Sequence, residues 1–248
     1  MRTWPCWPRC AATPTGCPPP APTATARRWE ILLGARHDLT TSHTAQINRL
    51  RALLRDGDDT DRQIARAALT DTVLAAVARR RCPRDADRAQ AVRQGELRRL
   101  ALAVREGGRA LKANRAQLQD IVDDLAPGLT DRPGIGPVSA AQVIVSFSHP
   151  GRCRTDAAFA ALAATSPLEA SSGRTVRHRL TRGGDRALHR AVHAIALTRM
   201  RCCERTRAYV ARRTAQGKTL REIRRCLKRY ITRELYRALT TTMTPTGA

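Results

Sequence analysis

Between residues 84 and 125, Leu97, Leu100, Val104, Leu111, Leu118, Ile121 and Leu125 recur at steps of three, four and seven. That spacing puts them on one narrow stripe of an α-helix. So narrow a stripe suits a helical hairpin or coiled coil. The spacing predicts one long helix, with Gly95, Gly107 and Gly108 as its weak points. Upstream, "EILLGARHDLTTSHTAQINRLRALLRD" brings Leu39, Ile47, Leu50 and Leu54 close to a single helical face. The turn "DGDDTDRQ" follows, with Asp58 or Thr60 as N-cap of a second helix over 61–81, which Pro83 ends.

Residues 1–28 have a different texture. They are proline-rich, hold two of the three tryptophans and show neither helical nor strand period, which predicts a disordered leader. The mixture also resembles a GC-rich frame read out of register. From Trp29 the helical pattern begins. Beyond the long helix, shorter ones are expected at about 137–147, 155–164, 185–203, 205–216 and 219–240, and no strand run stands out. The fold class is therefore all-α: a disordered leader over 1–28, a helical or coiled-coil arm over 29–127, a compact helical domain over 128–242 and a frayed tail over 243–248.

With eight aromatic residues in 248, the core is expected to be aliphatic. The net charge of +24 points to a polyanionic partner, because neutralised phosphates release counterions. Residues 131–248 carry 23 Lys+Arg against 7 Asp+Glu, so that surface is mainly C-terminal. Codon bias explains arginine over lysine but not the shortage of acids. No stretch is long and apolar enough to span a membrane, and the N-terminus lacks the apolar segment of a secretory signal. A cytoplasmic, nucleoid-associated protein with reduced cysteines fits this pattern.

Two motifs carry chemistry. In "TDRPGIGPVSAAQVI", a bare glycine turn opens a helix, the signature of a helix-hairpin-helix. Gly134 and Gly136 would let the backbone approach a phosphate, which the free N–H groups of the helix start would bind; an ordinary glycine turn is the alternative. In "SSGRTVRHRLTRGGDRALHR", Ser171 and Ser172 precede a cluster of arginines. A serine attacking a phosphate needs cations on the developing charge, and Arg174, Arg177, Arg179 and Arg182 could supply them, with Arg186 as a further DNA contact. Spacing alone fits a solvated phosphate-binding loop as well. His189 and His193 with Cys202, Cys203 and Cys226 lack the close ligand pairing of a closed zinc site, and Cys6, Cys10 and Cys17 have no partner histidine. No metal site is expected in this chain.

In order, the PGIGP turn, the Pro-x-x-x-SSG loop, the basic Gly-Gly helix start and the Gly-Lys before the last helix resemble the C-terminal domain of insertion-sequence transposases of the IS110/IS116/IS902 family, over roughly 125–240. "NRLRALL" resembles that family's coiled-coil segment. The resemblance implies a DNA recombinase acting in transposition, with Ser172 (or Ser171) becoming joined to DNA. It also implies an oligomer, a structured guide RNA, and Mg²⁺ held by the carboxylates of a resolvase-like N-terminal domain. Only about 30 residues precede the coiled-coil segment here, with no acid before Glu30, which implies a truncated chain that is catalytically incomplete alone. Asp58-x-x-Asp61 falls downstream of where those carboxylates lie and is better read as a turn and cap; Asp120, Asp123 and Asp124 read as solvated charge. Thr165 stands where the family usually has glycine. A non-catalytic nucleic-acid-binding module and an assembly partner of full-length transposase are the rival readings.

Overall fold

The computed structural model describes residues 24–82, 86–169, 178–180 and 183–243; for 24–27, 168–169 and 178–180 it describes the backbone only. The fold is all-α. Most of the leader (1–23), the loop tip at 170–177 and the tail from 244 lie outside the described residues. The chain divides into a unit of residues 31–116 and a second built chiefly from 117–248.

In the first unit, α1 (Ala24–Arg55) and α4 (Arg88–Leu125) pair antiparallel. Asn114 Nδ2 donates to Leu32 O and Arg36 to Leu111 O, whereas Arg93 near the other end donates to Leu53 O. Leu50 and Leu54 close on Leu97, Leu100, Ala101 and Val104, so the first part of the stripe read from the sequence, Leu97 to Val104, is the hairpin seam. α4 runs unbroken through all three glycines. A Cβ at Gly107 would sit 3.5 Å from His43, an ordinary contact, so packing across the seam outweighs the weak helix propensity of glycine.

The single helix expected over 61–81 is instead two, α2 (Asp59–Arg66) and α3 (Asp71–Arg79). Thr70 accounts for the break: its hydroxyl accepts from Val73 N and starts a new helix, which lays Leu74 and Val77 on the seam. Asp58 is the N-cap of α2, accepting from Asp61 N at 2.7 Å. The Asp61 carboxylate is buried and paired with both Arg80 and Arg93. Burial works against its ionisation, but hydrogen bonds from Arg93 and Arg80 outweigh that and hold the carboxyl below its ordinary range. Both aspartates of the D-x-x-D are thus spent on architecture.

The second unit contains α5 (Pro137–Phe147), α6 (Asp156–Leu162), α7 (Arg186–Cys202), α8 (Glu204–Ala215) and α9 (Leu220–Met243). α7 touches α5, α8 and α9, and carries Leu188, Val192, Ile195 and Ala196 into the core. The core is not purely aliphatic: Phe147, Phe159 and Tyr236 meet with ring centroids 5.8–6.2 Å apart, and the Tyr236 hydroxyl donates to Cys153 O. The helices expected at 137–147, 185–203, 205–216 and 219–240 are present within a few residues. A short antiparallel ribbon, absent from the sequence reading, joins β1 (Pro167–Glu169) to β2 (His178–Leu180), Leu168 opposite Arg179. Three residues per strand are too few to show an alternating period.

Candidate nucleic-acid interface

The glycine turn lies between α4 and α5, and its two glycines do different work. Gly134 has φ +77°, and a Cβ there would meet Arg199 Cγ at 2.9 Å and Ile195 O at 3.1 Å, so the missing side chain is filled by α7. Gly136 is the N-cap of α5 in extended conformation, and a Cβ there would have nothing within 4 Å. Pro137 follows at the first helical position, no side chain caps the helix, and its first turn holds no acid. Of the two glycines, Gly136 is the one that leaves open space beside amides that an anion could use.

Arg199 holds the turn in place. Its Nε donates to Pro133 O at 2.7 Å while its two terminal nitrogens grip Glu234 of α9 at 2.6 and 3.0 Å. Arg132, from the turn itself, reaches the same carboxylate at 3.3 Å. The Arg199 hydrogen bonds keep Glu234 ionised below its usual range. Neither residue was singled out from sequence. A buried arginine on the apolar stripe Leu188, Val192, Ile195, Arg199 was the available signal.

The serine loop grows from a base that is tied down on both sides. On the entering side, Ala164 adopts φ +52°, Thr165 N donates to Ala160 O, and the Thr165 hydroxyl reaches Thr232 of α9. Thr165 is thus buried and used. On the leaving side, Gly184 at φ +100° packs on the α6 carbonyls and Asp185 N donates to Leu162 O. Asp185 then caps α7, accepting from Ala187 N and Leu188 N and from Ser146. That helix start is therefore closed to an outside anion, and Arg186 is exposed beside it.

Gly134, Gly136 and Arg186 are thus described in full and Arg179 only as backbone in β2. Ser171, Ser172, Arg174, Arg177 and Arg182 lie outside the described residues. Beneath the ribbon base, His189 hydrogen-bonds Ala163 O through Nδ1 and the buried Lys228 through Nε2, so neither nitrogen is free for zinc. Burial first, then nearby Arg225, pushes the Lys228 ammonium below its ordinary pKa. Burial likewise lowers His193, helped by Lys228, His189 and Arg224. Among the described residues, no group of three His, Cys, Asp or Glu is placed to hold a metal. Asp58 and Asp61 do not fit a magnesium site, since one caps a helix and the other is locked between arginines. No described helix is long and apolar enough to cross a membrane.

Comparison with known proteins meets this geometry in the same unit. A family model described as Transposase IS116/IS110/IS902 family matches residues 126–211, from the glycine turn through the ribbon, α7 and most of α8. This segment is similar to that transposase family. The chain is also 36% identical over 118 residues to the "Insertion element IS110 uncharacterized 43.6 kDa protein" of Streptomyces coelicolor. The alignment covers 47% of this chain and 29% of that protein, so under a third of the relative is represented. The transposase-like segment begins at Ala126 and contains the turn, the serine loop and its base.

Proposed function

We propose that this chain acts in DNA transposition and recombination of an insertion sequence, as the nucleic-acid-binding, serine-bearing part of a transposase. The observation that carries the reading is the family match over 126–211, which spans the glycine turn and the serine loop together. Gly136 and the uncapped start of α5 serve as a helix-hairpin-helix contact to a DNA phosphate. Arg186, with Arg174, Arg177, Arg179 and Arg182 of the loop, adds charge along the same strand. Ser172 is the nucleophile, with Ser171 as its rival: its oxygen bonds to phosphorus as a deoxyribose oxygen leaves, and the reverse displacement rejoins the strand. The hydroxyl needs a partner to take its proton, and the described residues hold no carboxylate cluster for that step.

Binding to duplex DNA, titrated with salt, tests the reading. Several phosphate contacts predict a steep fall of affinity with salt, and Gly136→Val is expected to weaken binding about tenfold while helicity stays unchanged. A flat salt response or an unaltered affinity would overturn the backbone contact. For the chemistry, the chain mixed with Mg²⁺, DNA and the resolvase-like domain of a family member should yield a protein–DNA adduct that Ser172→Ala abolishes. An adduct surviving that change moves the role to another residue.

A further inference from the structure

Of the aromatic residues between 117 and 248, Phe147, Phe159 and Tyr236 meet in the core. The other two, Tyr209 on α8 and Tyr230 on α9, meet on the surface. Their rings stand edge to face, with centroids 6.0 Å apart and planes at 86°. Tyr230 is 55% exposed, so the contact with Tyr209 leaves much of its ring open to solvent. The guanidinium carbons of Arg212 and Arg213 lie 5.7 and 6.0 Å from the centre of the Tyr209 ring. Arg205, one turn back on α8, shares that helix face and is exposed.

A chain with so few aromatic residues gains nothing for its own core from Tyr230, whose ring is left largely in water against a second tyrosine that carries two arginines. That combination does suit an unpaired nucleotide. A base offers a flat face to stack on a fixed tyrosine ring, and its phosphate lies within reach of a guanidinium. A duplex cannot use the site in this way, because its base faces are already stacked on one another. A second copy of this chain is a poor occupant, since it brings the same strong positive charge to an arginine-rich face. We infer that Tyr209 and Tyr230, flanked by Arg212 and Arg213, form a stacking site for unpaired nucleotides of RNA or single-stranded DNA. This goes beyond the duplex contact assigned to Gly136 and rests on different residues, on helices α8 and α9.

The test uses the full chain with fluorescein-labelled oligo(U), oligo(dT) and duplex DNA, the single strands being about twenty nucleotides long to exceed one binding site. Tyr230→Ala is expected to weaken single-strand binding about tenfold, the order of one lost stack, and to change duplex binding less than about twofold. Tyr230→Phe, which keeps the ring, should bind like the parent, and circular dichroism of both variants should show the same helicity. A loss with oligo(U) alone assigns the site to RNA, and a loss with oligo(dT) alone assigns it to single-stranded DNA; both support the inference. Equal losses on single strand and duplex, or no loss, would overturn it while leaving the Gly136 contact intact. A change in sedimentation without a change in single-strand affinity would also overturn it, in favour of an interface between copies.

Discussion

Both units are rich in arginine, but they use it differently. In the arm, the acids Asp59, Asp61, Asp71, Glu96 and Glu106 each face an arginine. Part of that unit's positive charge is therefore spent locally, some of it within single helices and some, as at Asp61 and Asp71, between them. Between residues 131 and 248 there are seven acids for 23 basic residues, and four of those acids act in architecture: Glu234 grips Arg199, Asp156 meets Arg233, Asp185 caps α7 and Glu222 accepts from Thr219 N at the start of α9. Arginine content is thus a poor guide to where a chain touches nucleic acid. The informative quantity is arginine left over once the carboxylates have been assigned.

Three substitutions sharpen the contrast, beginning with the most damaging. Gly134→Ala should cost about 3 kcal/mol, because it combines a left-handed φ with a Cβ pressed on the α7 backbone. Chemical denaturation should show this loss in full, whereas Gly136→Ala should shift the midpoint little. Equal effects would mean that the two glycines are not divided between packing and open space. In the arm, Asp61→Ala should cost about 2 kcal/mol by leaving Arg80 and Arg93 facing one another, with solvent access to both guanidiniums moderating the loss.

The same aspartate sets an acid limit. Its folded carboxyl is held low, so its contribution is complete above the unfolded value of about 4 and fades as pH falls through the lower folded value. A parent and an Asp61→Ala protein that lose stability in parallel below about pH 4 would show that Asp61 is not the group responsible. The smallest effect belongs to His193, which faces Lys228, His189 and Arg224. Its folded pKa is also lowered, so the unfolded chain takes up the proton first and stability declines as pH falls below about 6.5. Thermal melts between pH 7 and 5 should show a slight downward slope that His193→Gln removes. A slope that persists in the variant would assign it elsewhere.

Periodic features were legible from sequence alone. The stripe from Leu97 to Leu118, a cap at Asp58 or Thr60 (the structure uses Asp58) and the extent of α5, α7 and α9 follow from spacing and capping chemistry, which act locally. The division between α2 and α3 was missed because Thr70 competes as a cap inside an otherwise acceptable helical pattern. On α9 the structure buries Ile231 and leaves the adjacent Tyr230 out, a choice set by the helices packed around α9 rather than by local spacing. The Arg199–Glu234 clamp and the separate duties of Gly134 and Gly136 were not readable, since each depends on residues tens of positions away. PGIG states that a backbone is bare, but not what fills the space beside it.

The double anchorage at Thr165 and Asp185 has a consequence for how such a protein can change over time. The base brings Pro167 opposite Leu180 whatever sequence joins the two strands. Once ends are held together, the entropic cost of lengthening the joining segment grows only logarithmically, by about 0.6 kcal/mol for each doubling. Substitutions, insertions and deletions between Glu169 and His178 are therefore largely uncoupled from the stability of the helices below. A lineage can revise the length and charge of this loop while the helical core stays under separate selection, and the same partition makes the loop the natural place for a designer to graft new chemistry.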